Sequence, residues 1–426
     1  MKIQDERFKR TKWMMHDRFG MFIHWGLYSI PAKGEWIRSY NRISTEEYQE
    51  YFDSFYPKKF NATAWAKTAA KAGMKYAVFT AKHHDGFCLF DSALTDYKST
   101  NTPAKRDFVK EFLEAFRAEG IKVGLYYSLI DWHHKDYPAY EDSLHPMREN
   151  PQYKDQGKHF ENYIKYFHGQ VKELMTKYGK LDLLWFDYSY DDMTGEKWEA
   201  TKLINMVRQY QPDIVLNNRL GGNICSTNPE IYSGDFQTPE QIIPPNGVCD
   251  ENGEPIPWEE CTTINDNWGY ISNCSKYKSA KDIIRILVEC VSKGGNLLLN
   301  IGPDANGVIA PECVSILSEV GEWLKINGDS IYGCGRSNFP KPEWGRITQN
   351  EKNLYVHVLE PSLGTLFIKN AAGIGKYARL MLDGSKIEMT EPWNLKYLDS
   401  NDYLFLKKPF YHLPDPKDTV IEVRLK

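Results

Sequence analysis

Short apolar segments alternate with longer helical segments along the first three quarters of the chain. Strands separated by helices of this length predict an α/β fold with a parallel sheet and helical crossovers. About eight strands fit a (β/α)8-like, TIM-type barrel. Residues 241–257 hold several Pro and Gly without helical periodicity, so one or two crossover helices should be missing. The predicted strands are 20–26, 76–80, 122–128, 181–188, 214–219, 231–236, 262–265 and 296–301; the predicted helices are 62–73, 108–120, 160–179, 196–210, 280–292 and 311–327. A further acidic, aromatic helix is predicted to begin at Ser44, whose spacing to Glu47 is that of a capping box.

The pattern changes near Cys334, after which short strands are separated by turn residues and no helical segment is predicted. This pattern is typical of a small antiparallel β-sandwich. We therefore predict two domains, a barrel over residues 1–335 and a C-terminal β-sandwich over residues 336–426. The predicted strands of the second domain are 353–359, 364–369, 378–382, 403–406 and 420–425.

The strand at 181–188 ends in an acidic residue. Its apolar run predicts a strand buried on both faces, with Asp187 at the carboxyl end. A buried carboxylate is costly unless it is paired or used, and catalytic residues collect at this end of barrel strands. The two-residue period places Trp185 on the same side as Asp187. An aspartate that caps the following loop is the alternative interpretation.

The composition excludes several classes of protein. A net charge of −4, from 53 basic and 57 acidic residues, gives no footprint for nucleic-acid binding. No apolar run reaches the roughly 20 residues that a membrane span requires, and the amino terminus lacks a signal-peptide pattern. The eight cysteines are scattered without a C-x-x-C pair. Reduced thiols in a cytoplasmic protein are therefore expected, with neither a disulfide framework nor a zinc site.

Polar and aromatic residues lie at or just after the carboxyl ends of several predicted strands. A barrel gathers these ends at one mouth, so the side chains should share a polar pocket. Each residue alone is compatible with a structural role, but their common position favours a functional site. The residues are His24, Trp25, Glu35, Trp36, His83, His84, Trp132, Trp185, Asp187, Arg219 and Trp268.

The segments that carry these residues are recognisable, and the chain resembles the retaining α-L-fucosidases of glycoside hydrolase family 29 over nearly its whole length. The combination is highly specific. The motifs are FGMFIHWGLYSIPAKGEW (19–36), YAVFTAKHHDGFCLFDS (76–92), GLYYSLIDWHH (124–134), LLWFDYSY (183–190), NNRLGG (217–222), GDFQTPEQ (234–241), WEECTTINDNWGY (258–270) and GGNLLLNIGPDANG (294–307).

The resemblance implies hydrolysis of terminal α-linked L-fucose from a fucosylated oligosaccharide or glycoconjugate by double displacement, without a cofactor or metal. Asp187 matches the nucleophile of the family. Because strand phase cannot be read to one residue, Tyr126 remains an alternative to Tyr127 among the sugar-binding positions. By this matching, the substrate-binding residues are His24, Glu35, Trp36, His83, His84, Tyr127, Trp185, Arg219 and Trp268.

Two glutamates match the position of the acid/base, with Glu260 as a weaker third. Glu240 follows Pro239 in a loop without an apolar run, which suits a carboxyl held over the glycosidic oxygen close to Asp187. Glu259 leads directly into a strand, where a structural hydrogen bond or a sugar hydroxyl is the more natural partner. We therefore predict Glu240 as the acid/base and keep Glu259 as the alternative.

Two other functions remain open from the sequence. The histidines at 24, 83, 84, 133 and 134 could bind zinc together with Asp187 in a barrel metallohydrolase. Adjacent histidines in an extended chain point to opposite faces, which disfavours this hypothesis. A catalytically inactive fucose-binding protein is disfavoured because both candidate carboxyl groups are present.

Overall fold

A curled parallel sheet forms the centre of the larger part of the molecule. The computed structural model describes residues 3–398 and 402–426. Within these ranges the sheet has seven strands, all paired in parallel, in the spatial order fifth, fourth, third, second, first, seventh, sixth. The predicted TIM-like α/β fold is confirmed. The strands are β1 (Phe19–Ile23), β2 (Tyr76–Lys82), β3 (Lys122–Ser128), β4 (Leu183–Asp187), β5 (Val215–Leu216), β6 (Glu259–Thr263) and β7 (Asn296–Ile301).

An irregular segment, residues 236–240, lies between the edge strands β5 and β6. It makes three isolated parallel bridges: Phe236 pairs with Asn217 beside β5, Gln237 pairs with Trp258 beside β6, and Glu240 pairs with Cys261 in β6. The segment cannot form a continuous ladder, because Pro239 has no N–H to donate. The predicted strand at 231–236 is therefore wrong in position, since only its last residue joins the ladder. The segment brings Glu240 to the carboxyl edge of the sheet.

Helices pack around the outside of the sheet. The predicted helices begin at the expected residues, with one exception. The helix predicted at 196–210 begins at Ala200, because the turn before it is a 3₁₀ segment, Gly195–Trp198. No helix occurs between β5 and β6, all of which lies within the described residues, so the predicted loss of crossover helices is confirmed. The helices are α1 (Ile3–Asp17), α2 (Ile37–Tyr40), α3 (Thr45–Ser54), α4 (Ala62–Lys71), α5 (Phe108–Ala118), α6 (Phe160–Lys177), α7 (Ala200–Tyr210), α8 (Ala280–Ser292) and α9 (Pro311–Asn327).

Helix α1, which the sequence did not predict, covers the amino-terminal ends of the strands. Its Met14 is fully buried against inward-facing strand residues, and the Trp13 ring packs edge-on against Tyr76. The Met14 carbonyl accepts a hydrogen bond of 2.8 Å from the Asn296 side chain in β7. Helix α1 thus covers the end of the barrel opposite the carboxyl ends of the strands.

The C-terminal part consists of two antiparallel sheets. One has six strands, in the spatial order 386–387, 375–380, 419–425, 353–358, 345–349 and 335–336, and the other pairs 366–369 with 403–406. One apolar cluster includes Leu354 and Ile421 from the larger sheet and Ile368 and Leu406 from the smaller, so the sheets pack face to face. The strands are β8 (Gly335–Arg336), β9 (Gly345–Gln349), β10 (Asn353–Val358), β11 (Leu366–Lys369), β12 (Gly375–Leu380), β13 (Lys386–Ile387), β14 (Tyr403–Leu406) and β15 (Thr419–Leu425).

Hydrogen bonds fix the C-terminal sheets to the helices α8 and α9. The Arg285 guanidinium donates to two carbonyls of the C-terminal part, those of Lys417 at 3.0 Å and Leu359 at 2.6 Å. The Trp323 indole donates to the carbonyl of Asp418 at 3.2 Å. Helices α8 and α9 belong to the layer outside the parallel sheet, so the C-terminal sheets pack against the side of the barrel.

The eight cysteines all lie within the described ranges and carry free thiols. Among the helices of residues 3–398 and 402–426, none is long and apolar enough to span a membrane.

Candidate active site

A cavity of about 650 Å³ opens at the carboxyl ends of the strands. It contains ten of the eleven residues predicted as catalytic or substrate-binding, and Tyr127 is the exception. Phe22 and Trp185 form part of its floor, where the apolar interior of the barrel ends. The predicted residues in its wall are His24, Glu35, Trp36, His83, His84, Trp185, Asp187, Arg219, Glu240 and Trp268.

Asp187 is the last residue of β4, and its carboxyl group is held by two neighbours. The Tyr126 hydroxyl donates to Oδ2 at 2.7 Å, and Arg219 Nη1 donates to Oδ1 at 3.0 Å. Burial raises the pKa of Asp187, whereas Arg219 and the Tyr126 hydrogen bond act in the opposite direction. His84 Nε2 lies 3.8 Å from Oδ2. The carboxylate is therefore fixed in orientation while it faces the cavity.

Arg219 joins Asp187 to Glu240. Its Nη2 donates to Glu240 Oε2 at 2.7 Å, and its Nε donates to Thr238 Oγ1 at 3.0 Å. The guanidinium also lies over the Trp185 ring, 4.7 Å from the centroid. Burial alone would lower the pKa of Arg219, but the Asp187 and Glu240 carboxylates raise it above its usual value. A permanently charged, planar group thus holds the two carboxyl groups side by side.

The two carboxyl groups differ in exposure. The side chain of Asp187 is 12% exposed and that of Glu240 is 40% exposed. Both bond to adjacent nitrogens of one guanidinium, so their separation is limited to the width of that group plus two hydrogen bonds. One carboxyl therefore lies deep in the cavity and the other lies at its mouth.

The protonation of His24 follows from its hydrogen bonds. Asn300 Nδ2 donates to the carbonyl of Trp268 at 2.8 Å, so its Oδ1 must accept from His24 Nδ1 at 2.7 Å. Burial lowers the pKa of His24 to about 3. The ring is therefore neutral with its proton on Nδ1, which leaves Nε2 as an acceptor.

His84 has the same tautomer for a similar reason. The Ser128 hydroxyl donates to the carbonyl of Ile130 at 2.8 Å and accepts from His84 Nδ1 at 2.7 Å. Burial lowers the pKa of His84, and also that of His83, well below the usual value. Nδ1 of His83 is buried and has no partner among the described residues. The cavity thus presents neutral imidazoles whose hydrogen-bonding capacity is not fully used.

Glu35 lies in the segment between β1 and α2 and lines the cavity. Its Oε2 accepts a hydrogen bond of 2.7 Å from the backbone N–H of Gly269, which joins two loops at the mouth. Burial raises the pKa of Glu35, and this hydrogen bond opposes the effect. Only one of its oxygens is used in this contact, so the other remains for a ligand hydroxyl.

The structure contradicts the predicted position of Tyr127. Its hydroxyl donates to Gln170 Oε1 in α6 at 2.7 Å, and its ring stacks on Phe167. The neighbouring residue, Tyr126, faces the cavity and bonds to Asp187. Because side chains alternate along β3, a shift of one residue moves the side chain to the other face of the sheet.

Trp25 and Trp132 follow strands but lie outside the cavity. The Trp25 ring packs within the helical layer against Phe60, and its indole donates to the carbonyl of Asp304 at 2.8 Å. Trp132 packs behind Trp36, with ring centroids 5.3 Å apart. Both are structural, and Trp132 supports a residue of the cavity wall.

Glu259 lies inside the barrel beneath the floor of the cavity. It is fully buried and accepts a hydrogen bond of 2.5 Å from the Tyr76 hydroxyl. Burial raises the pKa of Glu259 to about 8, against the opposing effects of Tyr76 and the Trp185 indole. It does not line the cavity, and neither does Glu260, the weaker candidate.

The histidines at 133 and 134 also lie outside the cavity. The His133 ring stacks on Tyr97 with centroids 3.7 Å apart, and the His134 ring packs against Tyr166. Within the described residues, no three His, Cys, Asp or Glu side chains are arranged to hold a metal ion. The fold therefore separates His133 and His134 from His24, His83 and His84, which line the cavity with Asp187.

Sequence reasoning missed several residues of the cavity wall, including Tyr40, Tyr188 and Asn218. Tyr188 has a φ of 75°, in the left-handed region that side chains other than glycine rarely adopt. Its backbone N–H helps to lower the pKa of Asp187. Strained backbone of this kind is frequent at active sites, but no motif in the sequence indicates it.

Replacing Tyr126 with phenylalanine should move the acidic limb of the pH profile of kcat/KM to higher pH. The hydroxyl stabilises ionised Asp187, so its loss raises the pKa of that carboxyl group. A hydrogen bond to a charged group contributes about 1.5–3 kcal/mol, so we expect the limb of kcat/KM to move up by about one pH unit or more. Tyr127→Phe is the matched control, since its hydroxyl bonds to Gln170 in α6 and not to Asp187. Equal shifts in both variants would contradict the assignment of Tyr126.

Comparison with known proteins identifies the family. A sequence model of the alpha-L-fucosidase family matches residues 2–329. The plasma alpha-L-fucosidase of Homo sapiens is 31% identical over 393 residues, which cover 85% of this chain and 79% of that protein. The tissue alpha-L-fucosidase of Rattus norvegicus is 33% identical over 344 residues, covering 75% and 69%.

Solved structures agree with the sequence relatives. Alpha-L-fucosidase isoenzyme 1 from Paenibacillus thiaminolyticus is 57% identical, with a TM-score of 0.96 over 99% of this chain and 100% of that chain. A trapped covalent intermediate of a GH29 alpha-L-fucosidase from Bacteroides thetaiotaomicron is 28% identical, with a TM-score of 0.84 over 100% and 97%. The family model and these relatives show that the chain belongs to the alpha-L-fucosidases of glycoside hydrolase family 29.

Proposed function

We propose that the protein hydrolyses terminal α-linked L-fucose from glycans with retention of configuration, using Asp187 as nucleophile and Glu240 as acid/base. The observation that carries the proposal is the bridge from Arg219 to both carboxyl groups. Retaining glycosidases need carboxyl groups about 5–5.5 Å apart, whereas inverting enzymes need more room for a water molecule. A single guanidinium that bonds to both groups holds them at the same side of the cavity, and the covalent intermediate trapped in a GH29 relative supports double displacement.

In the first step, Asp187 attacks the anomeric carbon while Glu240 donates a proton to the departing glycosidic oxygen. The C–O bond to the leaving group breaks and a fucosyl ester of Asp187 forms. In the second step, Glu240 removes a proton from a water molecule, which attacks the same carbon and releases Asp187 as a carboxylate. The deep position of Asp187 suits attack on the sugar, and the exposed position of Glu240 suits contact with the leaving group.

The rest of the cavity supports recognition of fucose. The sugar has three ring hydroxyls, and His24, His84 and Glu35 offer acceptors that are fixed by neighbouring hydrogen bonds. The methyl group at C6 requires an apolar contact, which the aromatic rings at Phe22 and Trp268 can provide. Neutral imidazoles bind hydroxyl groups without adding positive charge close to Arg219.

The position of Glu259 argues against the alternative assignment. A general acid must come within hydrogen-bond reach of the atom that it protonates. Glu259 is fully buried below the floor and is already bonded to Tyr76, whereas Glu240 faces the cavity beside Arg219. Its raised pKa is explained by burial and does not by itself indicate catalysis.

The anomeric form of the first product tests the mechanism. With an aryl α-L-fucoside as substrate, proton NMR recorded before mutarotation should show α-L-fucose as the first sugar released. Two inversions at the same carbon give this result. Initial release of β-L-fucose would contradict double displacement, and the absence of any turnover would favour the inactive fucose-binding protein.

Prolonged treatment with a chelator distinguishes the metallohydrolase alternative. Because neither carboxyl role requires a metal, we expect turnover of the aryl fucoside to be retained. Loss of activity that zinc restores would instead support the alternative, in which a bound metal activates water.

A further inference from the structure

We propose that Tyr40, Tyr188 and Asn218 form a binding site for the leaving group, and that its ligand is a pyranose sugar joined to the fucose. This inference rests on the proposed function, since it takes Glu240 as the residue that protonates the glycosidic oxygen. The atoms beyond that oxygen must then occupy the part of the cavity near Glu240 and the solvent. All three residues belong to the cavity wall.

Tyr40 provides an aromatic surface at the mouth. It ends helix α2 and remains 72% exposed, although large aromatic side chains are usually covered. Its ring stacks on Trp36 with centroids 5.9 Å apart and planes inclined by 23°. Trp36 is in turn held by Trp132 behind it. The ring is thus supported on one face while the other remains open, as a sugar-binding platform requires.

Tyr188 connects this platform to the catalytic groups. Its ring packs edge-on against Trp36 with centroids 5.4 Å apart, and it directly follows Asp187 in the chain. Burial, together with the nearby Asp187 and Glu240, raises the pKa of its hydroxyl to about 12. The hydroxyl therefore keeps its proton and can donate to a sugar oxygen close to the bond that breaks.

Asn218 offers a donor whose direction is fixed. Its Oδ1 accepts from the Thr238 backbone N–H at 3.1 Å and from Thr238 Oγ1 at 2.8 Å. Since a backbone N–H can only donate, the oxygen must face Thr238 and Nδ2 must point away from it. Nδ2 makes no hydrogen bond to the other described side chains, and Thr238 also holds Arg219. The amide hydrogens of Asn218, which lines the cavity, are therefore available to a ligand.

The ligand class follows from these groups. An open aromatic face suits the apolar C–H face of a pyranose, and the amide and phenol donors suit its hydroxyls. A purely apolar leaving group would contact the aromatic face but leave the amide and phenol donors without acceptors, and a small leaving group would not reach both. The combination favours a sugar attached directly to the fucose.

The test compares two substrates that share the fucosyl group. α-L-Fucosyl fluoride has no sugar in the leaving-group position, whereas a fucosyl disaccharide fills it; the disaccharide used is the linkage isomer that the wild type cleaves fastest. The measured quantity is the ratio of kcat/KM for the disaccharide to kcat/KM for the fluoride. In Tyr40→Ala we expect this ratio to fall about tenfold, as the loss of one aromatic contact implies.

Two control variants define the result. Tyr40→Phe keeps the ring and should keep the ratio within about twofold of wild type. Tyr56→Ala removes another exposed tyrosine, 54% exposed and outside the cavity, and should also leave the ratio as it is. Melting temperatures of all three variants confirm that they are folded.

The outcomes separate this inference from the proposed function. An unaltered ratio in Tyr40→Ala, or an equal loss with both substrates, would overturn the leaving-group site while leaving the fucosidase assignment intact. Failure of the wild type to cleave α-L-fucosyl fluoride would instead overturn the proposed function, and the leaving-group site with it.

Discussion

Replacing Asp187 with glycine should abolish turnover of natural fucosides while the protein remains folded. Asp187 is the proposed nucleophile, so no fucosyl-enzyme should form without it, and we expect kcat to fall by about 10⁴-fold or more, equivalent to about 5 kcal/mol of activation free energy. Arg219 keeps Glu240 and Thr238 as partners, so the substitution does not leave a buried charge unpaired. The melting temperature and kcat for an aryl α-L-fucoside are the measurements.

Azide should restore part of this activity with an activated substrate. The glycine leaves a space beside Arg219 and Tyr126, where the lost carboxylate accepted its hydrogen bonds. A small anion that enters this space attacks the anomeric carbon directly, so a single inversion should give β-L-fucosyl azide. A variant with nearly wild-type rates would show that Asp187 is not the nucleophile.

Local sequence signals predicted much of the barrel. The predicted helix at 280–292 has the same bounds as α8, because the capping box of Ser279 and Asp282 defines its first turn. Strand β4 was predicted because its apolar run is short and ends in a carboxylate. Trp185 and Asp187 both line the cavity, as the two-residue period of a strand requires.

The error at Tyr127 has a physical cause. In β3, Val123 to Ser128 are all buried, since one face packs inside the barrel and the other packs against helices. When both faces are apolar, burial no longer shows which residues point inward. The phase of such a strand depends on its pairing with β2 and β4, which a single sequence does not contain.

Features that depend on distant contacts were also missed. Helix α1 places polar side chains against the barrel, where Arg10 pairs with Asp235 at 2.7 Å and Arg7 donates to two backbone carbonyls. Because these arginines face inward, the inner face of α1 lacks the continuous apolar stripe that would indicate an amphipathic helix. Glu240 likewise joins Cys261 of β6 through an isolated β-bridge and not through a regular strand, so no local periodicity in the sequence indicates this pairing.

Replacing Glu240 with alanine should make the rate depend strongly on the leaving group. A natural oligosaccharide needs protonation of its glycosidic oxygen, and loss of the general acid should reduce kcat/KM by about 10²–10⁴-fold. A dinitrophenyl fucoside has a leaving group that departs without a proton, so its cleavage should be much less affected. Removal of Glu240 also removes a charge that raises the pKa of Asp187, so the pKa of the proposed nucleophile should fall.

The second step of the same variant provides a further test. Water lacks its general base, so azide should intercept the fucosyl ester of Asp187 and give α-L-fucosyl azide after two inversions. Glu259→Gln is the matched control, because its amide oxygen can still accept the Tyr76 hydrogen bond inside the barrel. We expect that control to affect both substrates to the same degree. If Glu259→Gln shows the leaving-group dependence and Glu240→Ala does not, the roles of the two glutamates must be exchanged, although the buried position of Glu259 would then require the barrel floor to open during each turnover.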